Sequence, residues 1–322
     1  MGKKHTPVSF IIVLTLISVL FFILLEFSKN TVVGWILTAA VITAFIIFHH
    51  KAADPAFSGR LNPKTAKMLC WVAFIALLAG IYFLTAPPVR RVPAVEGFGV
   101  EKTGVIKVAQ GELTGVYNKA HTVEIYAGIP YAQPPVGELR WKEPLEPLPY
   151  DGILACDTYG PMAMQSVNSP LYGSLYQILG FHKYNFSLFD NYKEARSEDC
   201  LYLNVYRPAD YAGEPLPVVF YIHGGSLTTG QSYYTEYRGD NFAEKGVIFV
   251  NFAYRLGIFG YMANRELAAE SPNGTTGDYG LLDQIAALRW VHENIAAFGG
   301  DPDNITIAGE SAGSSSVNAL CV

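Results

Sequence analysis

Three long apolar runs occupy most of the first 86 residues, at positions 8–27, 31–48 and 68–86. Each is close to the ~20 residues that a helix needs to cross ~30 Å of hydrocarbon. A cleaved signal peptide is the alternative for the first run, because Lys3 and Lys4 precede it. Two further runs and the lack of a small-residue cleavage site argue against a signal. Buried core helices are a second alternative. We predict a three-span transmembrane region over residues 1–86, with a lipid bilayer as its partner.

The basic residues around these runs predict an orientation, since short cytoplasmic loops are enriched in lysine and arginine. With the N-terminus in the cytoplasm, the cytoplasmic side of the three runs would carry six basic residues and the opposite side three. The six are Lys3, Lys4, Lys51, Arg60, Lys64 and Lys67, and the three are Lys29, Arg90 and Arg91. This count predicts a multi-pass membrane protein whose remaining chain is extracytoplasmic, although Arg90 and Arg91 count against it.

Composition changes after the third run. Pro87, Pro88 and Pro93 predict a short stiff linker over residues 87–97, followed by a second domain over residues 98–322. A net charge of −5 gives no sign of nucleic-acid binding. The four cysteines lack the paired spacing of a metal site, so no metal or cofactor is predicted. Oligomeric state does not follow from the sequence.

The pentapeptide Gly-Glu-Ser-Ala-Gly at residues 309–313 follows a strand-like run and precedes a helix-like run. A Gly-x-Ser-x-Gly turn between a strand and a helix exposes the hydroxyl of its serine on a sharp bend. Glycine on both sides permits close backbone approach. Ser311 is therefore a candidate nucleophile. A chance occurrence of the pattern in a turn is the alternative, which the pentapeptide alone does not exclude.

A second glycine-containing turn follows the apolar run 217–222 and reads His223-Gly224-Gly225. Successive glycines let backbone N–H groups face a substrate oxygen without obstruction by a Cβ atom. We expect the His223 side chain to bond within its own loop, and we do not predict it to be a catalytic base.

Several further segments occur in one order before the pentapeptide, and together the motifs cover residues 100–322. This part of the chain resembles the type-B carboxylesterase family, which includes carboxylesterases and cholinesterases. The segments that carry the resemblance are residues 128–141, 197–204, 254–257, 280–284 and 294–302. The resemblance implies an α/β-hydrolase fold, in which helices flank a central, mostly parallel sheet.

The same resemblance implies a serine carboxylic ester hydrolase that acts on a small-molecule ester through an acyl-enzyme on Ser311. The oxyanion donors would be the backbone N–H groups of Gly224, Gly225 and Ala312. No tryptophan lies within residues 151–200, where cholinesterases hold a quaternary ammonium group. This absence argues against a choline-ester specialist.

Two structural features are also implied by the resemblance. Arg140 would pair with Glu198, and Arg255 with Asp283, as buried ion pairs that constrain the fold. The family often has a cysteine in the loop corresponding to residues 160–165, and this chain has none there. Whether Cys156 pairs with Cys200 instead stays open.

In this fold the catalytic serine is followed along the chain by an acidic residue and then a histidine. No Asp, Glu or His follows Ser311. We therefore expect a fragment that lacks the acid and the base and has little activity by itself. A naturally short pseudoenzyme is the alternative. A catalytically inactive adhesion module of the cholinesterase type is a second functional hypothesis, although such modules usually lose the serine that this chain keeps.

Overall fold

A computed structural model of the chain describes residues 7–52, 54–59, 61–90, 94–97, 99–165, 193–211, 213–272, 274 and 276–322. The described residues fall into two compact units. The first contains the described residues up to Arg90 together with Lys193, and the second contains those within 91–167 and 194–322.

The first unit is helical. Three of its helices are, by length and composition, apolar enough to cross a membrane. Leu14, Phe45, Phe74 and Leu78 form its buried core. The helices are α1 Val8–Phe27, α2 Val32–Lys51, α3 Pro55–Ser58 and α4 Pro63–Leu84.

Helix α4 begins five residues before the predicted third run. The side chain of Asn62 accepts a hydrogen bond from the N–H of Lys64 at 2.9 Å and caps the helix, and Pro63 occupies its first turn. Hydropathy misses this start because the first turn is polar. The helix ends at Leu84, where the side chain of Thr85 bonds back to the carbonyl of Ile81 at 2.7 Å.

Polar contacts join the turn between α1 and α2 to the end of α4. The side chain of Asn30 is buried and donates to the carbonyl of Tyr82 at 2.8 Å and to the hydroxyl of Thr85 at 3.0 Å. The N–H of Thr31 donates to the carbonyl of Thr85 at 3.0 Å. A buried amide is costly unless it is bonded, so these contacts specify how the helices meet.

The second unit is built on a sheet of six strands in the order β13-β11-β12-β10-β5-β4. The strands of the described chain are β1 Val89–Arg90, β2 Ile106–Val108, β3 Gly111–Thr114, β4 Val116–Tyr117, β5 Val123–Pro130, β6 Ile153–Ala155, β7 Met162–Ala163, β8 Lys193–Glu194, β9 Arg196–Ser197, β10 Tyr202–Pro208, β11 Leu216–Ile222, β12 Ile248–Phe252 and β13 Gly300–Gly309.

The large sheet is mixed. β11 pairs in parallel with both β12 and β13, whereas the other three neighbouring pairs, β10 with β12, β10 with β5 and β4 with β5, are antiparallel. The expectation of a mostly parallel sheet is therefore wrong for the described residues, although the α/β class is confirmed. Strand direction is set by how the backbones pair, and the residues of a strand do not indicate whether its neighbour is parallel or antiparallel.

Helices cover the sheet of the second unit. In α8 the buried residues include Asp283, Ala287, Trp290 and Asn294, which recur at helical spacing and form the buried face of the helix. A left-handed glycine, Gly299 with φ 81°, turns the chain from this region into β13. The helices are α5 Asp240–Ala243, α6 Gly257–Tyr261, α7 Arg265–Glu270, α8 Tyr279–Asn294 and α9 Ala312–Leu320.

The second unit begins before the predicted domain start at residue 98. Ala94 forms a β-bridge with Thr158, and the N–H of Val95 donates to the carbonyl of Asp157 at 2.9 Å. Glu96 pairs with Arg238 at 2.5 Å. Residues 94–96 therefore belong to the packed unit, and the predicted linker over residues 87–97 is too long at this end.

Candidate active site

The turn between β13 and α9 carries Ser311. Ile222 at the end of β11 pairs with Gly309 at the end of β13, so both strands deliver their following turns to the same edge of the sheet. Ser311 has φ 54° and ψ −120°, a conformation that L-residues rarely adopt. Its side chain is exposed. A strained, exposed serine between a strand and a helix is the geometry that the Gly-x-Ser-x-Gly pattern predicts.

Gly309 and Gly313 allow this turn to close. A Cβ atom on Gly309 would lie 2.5 Å from the carbonyl carbon of Gly313. A Cβ atom on Gly313 would collide with the carbonyl oxygen of Ile222 and lie 3.0 Å from the carbonyl oxygen of His223. Any larger residue would therefore push α9 away from β11 and move Ser311.

The His223-Gly224-Gly225 turn lies directly against the serine. A Cβ atom on Gly224 would be 3.0 Å from the Cβ atom of Ser311. Gly225 has φ 109°, a conformation that favours glycine. Within the described part of the chain, the N–H groups of Gly224 and Gly225 donate no hydrogen bond. Ala312 opens α9, where a helix leaves its first N–H groups without an intrahelical acceptor.

His223 is buried beneath this turn. Its Nδ1 donates to the carbonyl of Gly224 at 2.8 Å, and its ring stacks on Tyr254 at 4.5 Å between ring centres. The Nε2 atom has no hydrogen-bond partner among the described residues. Burial lowers the pKa of His223 to about 4, with the Gly224 carbonyl opposing part of that change. The ring is therefore neutral near pH 7 and orders its loop.

Glu310 and two tyrosines form a second wall beside the serine. Glu310 is expected there as the neighbour of Ser311 in the pentapeptide, but the sequence patterns did not reveal the two tyrosines. The hydroxyl of Tyr237 donates to Oε2 of Glu310 at 3.4 Å, and Tyr221 packs on Tyr237 at 5.4 Å between ring centres. Burial and the nearby Glu310 carboxylate raise the pKa of Tyr221 to about 12 and also raise that of Tyr237. Both phenols are therefore protonated donors near neutral pH.

The structure places Arg255 and Asp283 together in the interior, with 3% and 0% of their side chains exposed. Two guanidinium nitrogens bond the two carboxylate oxygens at 2.8 and 2.7 Å, and the backbone N–H of Arg255 adds a third bond at 3.0 Å. Burial opposes the charge of Arg255, but Asp283 outweighs it and raises the pKa of Arg255. The pair ties the end of β12 to α8.

Arg140 and Glu198 also meet, through two bonds of 2.5 Å. The side chain of Arg140 is 41% exposed, so the expectation of a buried pair is wrong here. The two residues lie in loops at the surface, where water screens their attraction. Sequence motifs indicate which residues pair but not how deeply the pair is buried.

Cys156 and Cys200 are both buried and both are free thiols. Burial raises the pKa of the Cys156 thiol to about 12 and raises that of Cys200. Most of the tryptophan-free region 151–200 falls within residues 166–192, which lie outside the described residues. The described residues contain no group of three or more His, Cys, Asp or Glu side chains that could hold a metal ion.

A cleft of about 140 Å³ lies along α8, away from the serine. Tyr131, Trp290 and Leu282 contribute to its lining, together with Glu143 and Arg289. Neither Ser311 nor the glycines of the two turns line this cleft. The chemistry indicated by the strained serine is therefore at the sheet edge and not in this cavity.

Comparison with known proteins agrees with this geometry. A family model described as the carboxylesterase family matches residues 102–322. The chain is 41% identical over 199 residues to the fumonisin B1 esterase of Sphingopyxis macrogoltabida, which covers 62% of this chain and 33% of that protein. It is 41% identical over 218 residues to the para-nitrobenzyl esterase of Bacillus subtilis (strain 168), and this match covers 67% of this chain and 40% of that protein.

A third relative, carboxylesterase 3B of Mus musculus, is 38% identical over 261 residues and covers 80% of this chain and 41% of that protein. The chain thus spans between 33% and 41% of the length of these relatives. A solved PNB esterase structure matches with a TM-score of 0.56 at 39% identity, covering 67% of this chain and 40% of that one. Since the family match extends over nearly all of the second unit and the solved esterase shares its fold, the chain belongs to the carboxylesterase family and has the α/β-hydrolase fold.

Proposed function

We propose that the protein is a serine carboxylic ester hydrolase that acts through an acyl-enzyme on Ser311. The observation that supports this most directly is the backbone of Ser311, with φ 54° and ψ −120°. The conformation is costly, by roughly 1–3 kcal/mol, and persists only where the surroundings impose it. It exposes the hydroxyl beside glycine N–H groups that donate to no other described residue.

In the proposed reaction, Oγ of Ser311 attacks the ester carbonyl carbon and loses its proton to a general base. The carbonyl oxygen becomes an oxyanion that accepts hydrogen bonds from the N–H groups of Gly224, Gly225 and Ala312. Collapse of this intermediate breaks the bond between the carbonyl carbon and the alkoxy oxygen, which takes the proton from the base and leaves as the alcohol, and the acyl group stays on Ser311. Water then attacks the acyl carbon through a second tetrahedral intermediate and releases the acid.

We assign no residue of this chain as the general base. His223 is neutral and buried, and its Nδ1 is bonded within its own loop. The family resemblance implies a catalytic histidine that follows the serine along the chain. None of the seven histidines of this chain follows Ser311. Because the chain spans between 33% and 41% of the length of the relatives compared above, the activity is proposed for the whole protein.

We further propose that α1, α2 and α4 cross a membrane, with the hydrolase unit extracytoplasmic. The contacts within the first unit support an up-down-up arrangement. Asn30, in the turn after α1, bonds Thr85 at the end of α4. Phe10, near the start of α1, stacks on His49 near the end of α2 at 4.3 Å and packs on Trp71 at 6.0 Å. The basic residues Lys51, Lys64 and Lys67 then share one side.

The test is to express the complete protein and to assay hydrolysis of short p-nitrophenyl esters and labelling by a fluorophosphonate probe. We expect Ser311→Ala to abolish labelling and to lower turnover by on the order of 10⁶. Ser315→Ala, an exposed position in the next turn of α9, is the matched control and should keep both. Hydrolysis undiminished in Ser311→Ala would refute the assignment. A wild-type protein that neither hydrolyses nor labels would favour the inactive binding module.

A further inference from the structure

Two asparagines lie side by side in the middle of the large sheet. Asn204 in β10 and Asn251 in β12 are directly paired across the two strands, and they are 2% and 1% exposed. The residues flanking Asn251 in β12 are apolar and buried. An amide at such a position costs free energy unless its polar atoms find partners. The contacts of Asn251 therefore indicate why the chain has an asparagine there.

The two amides form a connected set of hydrogen bonds. Asn204 accepts from the N–H of Gly128 at 3.0 Å, and its Nδ2 donates to Oδ1 of Asn251 at 2.7 Å and to the hydroxyl of Ser232 at 3.3 Å. Nδ2 of Asn251 then donates to the backbone carbonyl of Tyr237 at 2.7 Å. The sheet interior is thereby bonded to the loop that carries Tyr237.

Tyr237 in turn contacts the wall beside the nucleophile. Its hydroxyl donates to Oε2 of Glu310, the residue immediately before Ser311. The same carboxylate oxygen lies where a Cβ atom on Gly224 would collide with it. The carboxylate of Glu310 is therefore held between the Tyr237 phenol and the glycine turn.

We propose that Asn251 is a positioning residue for this site, acting through the Tyr237 carbonyl to hold the phenol against Glu310. The proposal rests on the proposed function of Ser311. A fixed negative charge beside the nucleophile sets the local potential that the reacting groups experience. Displacing it changes both the rate at Ser311 and its dependence on pH, whereas a purely structural asparagine would change stability alone.

Asn251→Asp is the informative variant because it keeps the size and the acceptor for Asn204 but removes the donor to Tyr237. Asn251→Ser, which is neutral and too short to reach that carbonyl, covers the case in which a buried carboxylate prevents folding. Val250→Ala, the adjacent buried position in β12, is the control for loss of core packing.

Hydrogen exchange on the complete protein tests the positioning without requiring catalysis. We expect amides of residues 231–239 to exchange at least about 10-fold faster in the Asn251 variants, with β12 itself unchanged. In Val250→Ala, the ratio of the amide exchange rates of residues 231–239 to those of β12 should be the same as in the wild type. Equal protection of this loop in the Asn251 variants and the wild type would overturn the proposal, even if the protein hydrolyses no ester.

A double-mutant cycle with Tyr237→Phe tests the consequence at Ser311. We expect each single variant to lower kcat/KM by about 10- to 100-fold and to shift its pH profile, as a small misplacement does. The double variant should be no worse than the poorer single one, because both act through one contact. Multiplicative losses, or an unchanged pH profile, would overturn the proposal. If the protein hydrolyses no ester but residues 231–239 exchange faster in the Asn251 variants, the result would count against the proposed function only. It would still support Asn251 as the residue that positions this loop.

Discussion

Acidification is expected to destabilise the hydrolase unit through His223. Its neutral ring is enclosed by Tyr254 and its own loop, and a proton on Nε2 would have no acceptor among the described residues. The ordinary pKa of 6.5 falls to about 4 in the folded state because of burial. A tenfold change in proton affinity is worth about 1.4 kcal/mol, so the difference corresponds to about 3 kcal/mol.

The direction follows from which state binds the proton. Above pH 6.5 neither the folded nor the unfolded chain protonates this histidine, and it adds no pH dependence. As the pH falls from 6.5 towards 4, only the unfolded chain binds the proton, so stability declines. Below the folded pKa both states are protonated, and the loss of about 3 kcal/mol is complete.

The measurement is urea unfolding, followed by tryptophan fluorescence, at about pH 7.5, 5.5 and 4. His223→Gln is the comparison, because glutamine can donate to the Gly224 carbonyl but does not titrate. Carboxylates also titrate in this range, and they contribute equally to both proteins. We expect the wild type to lose about 3 kcal/mol more than the variant. Equal losses of unfolding free energy in the wild type and in His223→Gln would refute the conclusion that burial lowers the pKa of His223.

Two further substitutions separate buried from exposed features. Asp283→Asn should destabilise the protein by about 3–5 kcal/mol, because it leaves Arg255 buried without its counter-charge. Chemical unfolding measures this loss. In the same assay, Glu198→Gln at the exposed pair should leave the unfolding midpoint unchanged. Gly313→Ala should abolish fluorophosphonate labelling because the new methyl group displaces α9, whereas Gly104→Ala, with open space around it, should label normally. Normal labelling of Gly313→Ala, or equal costs at the two ion pairs, would contradict these readings of the geometry.

Local patterns anticipated the elements that depend on local chemistry. The glycines at 309 and 313 are needed wherever a strand must turn sharply into a helix, and the structure forms that turn. The first apolar run coincides with α1 at both ends, Val8 and Phe27. The predicted third run begins later than α4 because the helix starts with polar residues, which Asn62 caps.

Relations between distant segments were harder to predict. The direction of β10 relative to its neighbours depends on how the chain returns to the sheet, and the strand residues are compatible with either direction. The exposure of Arg140 depends on which loops surround it. The role of Asn251 had only a weak signal, a single amide within an apolar strand, and its partner Tyr237 lies 14 residues earlier.

The sequence by itself determined the division of this protein into an apolar helical part and a carboxylesterase part, together with the serine on its turn. These follow from hydropathy and from backbone conformations that few residue types permit. Only the tertiary structure decided which polar contacts form near that serine and behind it: the neutral, buried His223 on the Gly224 carbonyl, the phenol of Tyr237 on Glu310, and the amide of Asn251 on the Tyr237 carbonyl. Burial and hydrogen bonding depend on neighbours from other strands and loops, and no local pattern in the chain specifies those neighbours.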